Sequence, residues 1–318
     1  MALPSQQNFL RKFLLALLSE PVVCNGYFRR FQIKDLAGFS RLSYFGGYPL
    51  YSKLIKAVPV NPDDHVLDIG PWTGLECFLL AEVYKKVSVA EPDSEIASQL
   101  RAIAQHYRTD DGRLASEALN IHQMGVGLRG VQSTLRLPGI NAGTCSGLTL
   151  SGAFRPRLER RGLAPSNGSK CTVKRSVKFD VSGASEISDL LGHHFADRVF
   201  CNHVIRVIPQ EPKLPVLLSS LASYCNNKGV LTWADSPAEL TYALLEYVTF
   251  PDDSDALEEL CEQHPGDREH PWVPYMTVSR IKKMISPLLP DFSFGIRTIV
   301  TRSQGIDQAA YLIVAKRK

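Results

Sequence analysis

The stretch Val66-Leu67-Asp68-Ile69-Gly70-Pro71-Trp72-Thr73-Gly74, followed by Ala90-Glu91-Pro92-Asp93, decides how this chain is read. A hydrophobic strand ends in an acid, and a glycine turn then opens a helix. After one further strand a second acid stands 21 positions beyond Gly70. Glycines in such a turn let the backbone approach a ligand, and an acid at the end of the second strand is placed to take two ribose hydroxyls. The loop is not G-x-G-x-x-G and holds only two glycines, so a ligand without phosphates suits it better than a packed pyrophosphate. The plain alternative is a strand end with a turn. The downstream acid and the strand–helix alternation around it argue against that.

Outward from this unit the pattern continues. Strands are expected at His65–Ile69 and Lys86–Ala90, with helices over 74–84 and 93–107. Residues 109–180 interrupt the rhythm with Gly, Ser and Arg and short β-like runs such as Ser133–Leu137 and Cys171–Lys174, as a loop-rich insertion would. The alternation resumes with a strand at Asp197–Asn202, a helix near 212–226 and a strand at Gly229–Trp233. Residues 237–289 form a second, mostly helical insertion, and two β-rich runs, 292–302 and 309–316, close the chain as an antiparallel hairpin. Short buried strands alternating with helices predict a parallel, doubly wound α/β sheet.

On these residues the chain resembles the class I S-adenosylmethionine-dependent methyltransferases. Their loose D-x-G-x-x-x-G motif matches Asp68, Gly70 and Gly74, and their ribose-binding acid matches Glu91. The resemblance implies a Rossmann-like, mostly parallel seven-stranded sheet with a C-terminal antiparallel hairpin. It also implies S-adenosylmethionine as cofactor, contacted by Asp68, Gly70, Pro71, Thr73, Gly74, Glu91, Pro92 and Asn202. Trp72 stands where many members carry the middle glycine, and its indole is expected either to narrow the loop or to pack under the N-terminal section. A narrower likeness to FkbM-type methyltransferases rests on Glu91-Pro92-Asp93, Gly125-Val126-Gly127 and Asn141-Ala142-Gly143. Cys201-Asn202-His203 replaces the acidic feature of that group's fourth strand.

In such a fold the end of the fourth strand lies beside the transferred methyl. A neutral imidazole at His203 could take a proton from the acceptor there, or it could simply cap the strand. Residues 1–58 read as a helical N-terminal cap over a 59–318 methyltransferase domain. The section is crowded with Tyr27, Phe28, Phe31, Tyr44, Phe45, Tyr48 and Tyr51; the resemblance makes it a lid, with Tyr44, Tyr48 and His203 as substrate contacts, while each aromatic could equally be an ordinary core residue. His193-His194 are adjacent and make a poor metal pair, and His264 and His270 sit in an acidic loop, so no metal is expected.

The 318 residues carry 36 basic and 32 acidic side chains, a surplus of four, and 44% hydrophobic residues. That composition excludes a disordered chain and does not point to nucleic acid. The one concentrated positive stretch is Arg155, Arg157, Arg160, Arg161, Lys170, Lys174, Arg175 and Lys178, either a solvated loop or a grip on an acidic partner. Seven widely spaced cysteines without C-x-x-C suggest reduced thiols in the cytoplasm. Phe9, Leu10, Phe13, Leu14, Leu17 and Leu18 recur at helical spacing, which predicts an amphipathic helix rather than a signal peptide or membrane span. The expected activity is methyl transfer to an oxygen or nitrogen of a small molecule. Its rivals are an RNA or protein methyltransferase using the basic insertion, a non-catalytic methyltransferase-like subunit, and another reaction of the same cofactor.

Overall fold

Strand β1 (His65–Ile69) shows no polar alternation: Val66, Leu67, Asp68 and Ile69 are all buried, as required of a strand covered on both faces. It pairs in parallel with β2 (Lys86–Ala90) on one side and β8 (Ala196–Phe200) on the other. A computed structural model describes residues 3–31, 33, 47–126, 134–137, 177–180, 184–202, 214–235, 278–303 and 306–318. The insertion residues 138–176 and 236–277, the Gly127 and Asn141-Ala142-Gly143 landmarks, and His203, Tyr44, His264 and His270 lie outside these.

The seven-stranded sheet has the order β10-β11-β9-β8-β1-β2-β3. Here β3 is Leu119–His122, β9 Cys225–Asp235, β10 Phe292–Ser303 and β11 Ile306–Arg317. β3, β2, β1, β8 and β9 are parallel neighbours, whereas β11 runs antiparallel to both β9 and β10. The result is the mostly parallel seven-stranded sheet with a closing antiparallel hairpin that the resemblance implies. One boundary moves. Leu119–His122 supplies the edge strand from within the 109–180 segment, so the α/β rhythm runs on to His122 and departs from it only afterwards. Two small ladders follow: β4 (Met124–Gly125) with β7 (Ser185–Glu186), and β5 (Thr134–Leu137) with β6 (Val177–Asp180).

The N-terminal section is built into the core. Helix α1 (Gln6–Leu18) is N-capped by Ser5, whose Oγ accepts from Asn8 N at 3.3 Å. Phe9, Phe13 and Leu17, four apart, are fully buried, with Phe13 edge-on to Phe78 at 5.1 Å and Phe9 6.2 Å from Tyr107. Leu18, expected on the apolar face, is 51% exposed. Helices α2 (Pro21–Arg30) and α3 (Gly47–Ile55) add Cys24, Tyr27, Leu50, Leu54 and Ile55 to the same core. Among the described residues no helix is long and apolar enough to cross a membrane.

A buried carboxylate fixes α1 to the sheet layer. Glu82 accepts from Lys12 Nζ, from Tyr107 Oη at 2.5 Å and from Asp110 N at 2.8 Å. Removing the cation leaves a buried carboxylate with neutral donors only, so Lys12→Met is expected to cost about 3–5 kcal/mol. Asp110→Asn, at the exposed end of the network, should cost less than about 0.5 kcal/mol. Urea midpoints of the two variants check this, and equal midpoints would contradict it.

Candidate functional site

The sheet reverses its winding between β1 and β8, because the chain runs outward through β2 and β3 and then returns to β8. Ligands of open α/β sheets bind in the crevice beyond the strand ends at such a point. The Gly70–Gly74 loop lies here, between β1 and helix α4 (Leu75–Ala81). Gly70 has φ +66°, and its N–H donates to the Ala90 carbonyl at 2.9 Å, tying the loop to the end of β2. Gly74 has φ +82°, and a Cβ there would lie 2.3 Å from Leu100 Cδ2 on helix α5 (Ser94–Ala104). That position therefore needs glycine for both its backbone and its packing.

Trp72 has φ +43°, the left-handed region where a bulky residue is strained. Of its two expected placements the structure takes the second. The half-buried indole packs on the core shared with the N-terminal helices, 6.4 Å from the Phe31 ring. Tyr27 of α2 pins the same loop, its hydroxyl donating to the Thr73 carbonyl at 2.6 Å. The Pro71 carbonyl accepts from Gly74 N at 2.9 Å, closing a tight turn, and the Pro92 carbonyl accepts from Gln123 Nε2 at 3.4 Å.

Asp68 is fully buried, and neither carboxyl oxygen has a hydrogen-bond partner among the described residues. Burial first, and then the neighbouring Glu91, push its carboxyl well above the usual carboxylate range. Glu91, 3% exposed, accepts from Asp93 N at 3.0 Å and from the Trp72 N–H. Its burial outweighs those bonds and the attraction of Arg30, and lifts its pKa to about 8. Asp93 caps α5, accepting from Ile96 N at 2.9 Å, and pairs with Arg30 Nη2 at 2.6 Å. Arg30 also holds Glu95 at 2.7 Å.

Burial and Asp68 also raise Glu76, on the first turn of α4. Asn202, just beyond β8, donates its Nδ2 to Glu76 and accepts from Ala234 N at 2.9 Å through Oδ1. Its amide thus joins β8, α4 and the end of β9. Tyr51 on α3 lies near Glu76 and Asp68, and with burial as the main cause their charges raise its phenol well above its usual range.

The structure brings Asp68, Gly70, Pro71, Thr73, Gly74, Glu91, Pro92 and Asn202 to one edge of the sheet. Tyr48 donates its hydroxyl to the Pro4 carbonyl and sets its ring 5.8 Å from Phe9, fastening α3 to the N-terminal segment. Glu76 and Arg30 were not foreseen. The signal for Glu76 is a lone acid in Leu-Glu-Cys-Phe-Leu-Leu-Ala, a helix buried on every side.

A raised carboxyl makes stability depend on pH in a definite direction. The folded state keeps a proton on Glu91 up to about 8, whereas the unfolded chain releases it near 4.5. Its contribution is complete below the unfolded value and lost as pH rises through the folded one. The ligand-free protein is therefore expected to melt lower at pH 8.5 than at pH 6, by on the order of 5 °C, and Glu91→Gln should flatten that slope. Thermal melts across pH 5–9 check it, and parallel slopes would contradict it.

No protein-family model matches the chain, and no curated protein matches its sequence. Solved structures similar to it include the O-methyltransferase from Bacillus cereus in complex with SAH, at 10% identity and TM-score 0.45, covering 98% of this chain and 91% of that one. A SAM-dependent methyltransferase from Aquifex aeolicus has 11% identity and TM-score 0.43, covering 92% and 98%. Magnesium protoporphyrin IX methyltransferase from Synechocystis with bound SAH has 15% identity and TM-score 0.41, covering 85% and 80%. The fold assignment itself rests on the strand order.

Proposed function

We propose that the chain binds S-adenosylmethionine at the β1–β8 crevice and transfers its methyl group to an oxygen or nitrogen of a small molecule. The observation that carries this reading is Asp68, a fully buried carboxyl with both oxygens unpartnered at the end of β1. Such a group costs several kcal/mol unless something satisfies it, and a cationic donor does so best. The residues fit the group in two further ways. The Gly70–Gly74 turn, with both glycines at positive φ, lies at the β1–β8 crevice, and Glu91 stands at the end of β2 to accept from ribose hydroxyls.

S-adenosylmethionine, when bound, supplies an electrophilic methyl group. In this reading Asp68 accepts from the amino end of the cofactor, Glu91 orients the ribose, and Asn202 sets the position of Glu76 and of the β8 end. His203, next to Asn202, takes the acceptor's proton. Positioning supplies most of the acceleration in such a transfer. The buried free thiols of Cys24, Cys77, Cys201 and Cys225 suit a reducing compartment.

The full-length protein incubated with methyl-labelled S-adenosylmethionine and a panel of small hydroxyl and amine acceptors tests this. Label is expected in the low-molecular-mass fraction. Label confined to added RNA or protein, or none transferred to any acceptor, would overturn it.

A further inference from the structure

Folding gathers Asp68, Glu76 and Glu91 into one buried volume, each no more than 3% exposed, and none of them forms an ion pair among the described residues. Among the described residues the titratable groups near Asp68 and Glu76 are Glu91 just after β2, Cys77 from α4, Cys201 after β8 and Tyr51 from α3, all acids or neutral. Arg30 from α2 acts on Glu91 and is already held by Asp93 and Glu95. Asn202 satisfies part of Glu76, while both Asp68 oxygens are unpartnered. Among the described residues no group of three or more His, Cys, Asp or Glu is arranged to hold a metal ion. The site therefore holds carboxyls in a medium of low dielectric that ionise readily only beside a positive charge, and among the described residues no side-chain cation pairs with them.

We infer that Glu76, together with Asp68, makes the site select its ligand by charge at sulfur, so that S-adenosylmethionine binds more tightly than S-adenosylhomocysteine. The inference rests on the function proposed above. The two compounds share the adenosine, the ammonium and the carboxylate, and they differ in a methyl group and a permanent positive charge on sulfur. A carboxyl pair that is costly to ionise alone ionises more readily beside that charge. Binding of the sulfonium form is then accompanied by release of a proton that the thioether does not displace. Consumption of the methyl group removes the charge, which weakens the hold on the product. Glu76, which acts here through its charge, is a specificity-determining residue.

Isothermal titration of the full-length protein with each compound, at pH 6 and pH 8 and in two buffers of different ionisation enthalpy, tests this. At pH 8 S-adenosylmethionine should bind about tenfold more tightly, with a preference that narrows at pH 6. It should also release more protons than S-adenosylhomocysteine. Glu76→Gln keeps an acceptor for Asn202 and should bring the affinity ratio at pH 8 to about one. Equal or tighter binding of S-adenosylhomocysteine at pH 8, equal proton release, or an unchanged ratio in Glu76→Gln would overturn the inference while leaving the cofactor reading intact. Binding of neither compound would fell the cofactor reading, and this inference with it.

Discussion

Asp68→Asn is expected to separate ligand binding from folding. The amide keeps the shape of the side chain and removes a carboxyl that burial and Glu91 disfavour in its charged form. The folded state therefore loses nothing that ionisation of Asp68 contributed, and the melting temperature should stay level or rise. The ligand, by contrast, loses a charged acceptor. A charge-assisted hydrogen bond of about 2–3 kcal/mol corresponds to a fall in S-adenosylmethionine affinity of about 100-fold. Equilibrium dialysis alongside a thermal melt reads both quantities. A variant that binds as the parent does would remove Asp68 from the site. One that unfolds would make Asp68 a structural residue. Few described positions are expected to move function and stability in opposite directions, because most buried polar groups among the described residues have partners.

Gly74→Ala should do the reverse, with its largest effect on the fold. Two costs combine at this position. An alanine at φ +82° sits in the left-handed region, worth about 1–2 kcal/mol. Its Cβ would also stand 2.3 Å from Leu100 Cδ2, so a fully buried leucine must move, which adds about 1–3 kcal/mol. A melting temperature lower by about 5–10 °C is expected. Leu100→Ala placed with Gly74→Ala should recover the packing part and leave the backbone part, so the double variant should lose less than the two single losses combined. Strict additivity of the two losses would show that the clash is relieved some other way. The same geometry explains why the motif ends in glycine: the loop must turn left-handed and lie against α5 at once.

The β1–loop–β2 unit was legible because its determinants are local. A buried strand without alternation, two glycines at positive φ and an acid at the next strand end all fall within a short stretch. The closing hairpin was legible for the same reason, since two β-rich runs are joined by Ser303–Asp307. β3 was not. Leu119-Asn120-Ile121-His122 is a four-residue edge strand buried on one face, too short for its period to stand out from the loops around it. Glu76 was hidden because a lone acid on a helix ordinarily faces water. Only the burial of every neighbour from Leu75 to Ala81 turns it inward. The Lys12–Glu82 pair and the Arg30–Asp93 pair join residues 70 and 63 positions apart. No periodicity records such distances. The anchoring of Tyr48 was hidden for a related reason. Aromatic crowding marks a packed region, but the Pro4 carbonyl that takes its hydroxyl follows from how α3 meets the N-terminal segment.

Calorimetric titration of the full-length protein with S-adenosylmethionine at pH 8 tests whether the crevice beside Asp68 is a cofactor site. Saturable binding of one equivalent per chain, with a dissociation constant on the order of micromolar and weakened about 100-fold in Asp68→Asn, is the predicted result. The absence of saturable binding to a chain that melts cooperatively would contradict it.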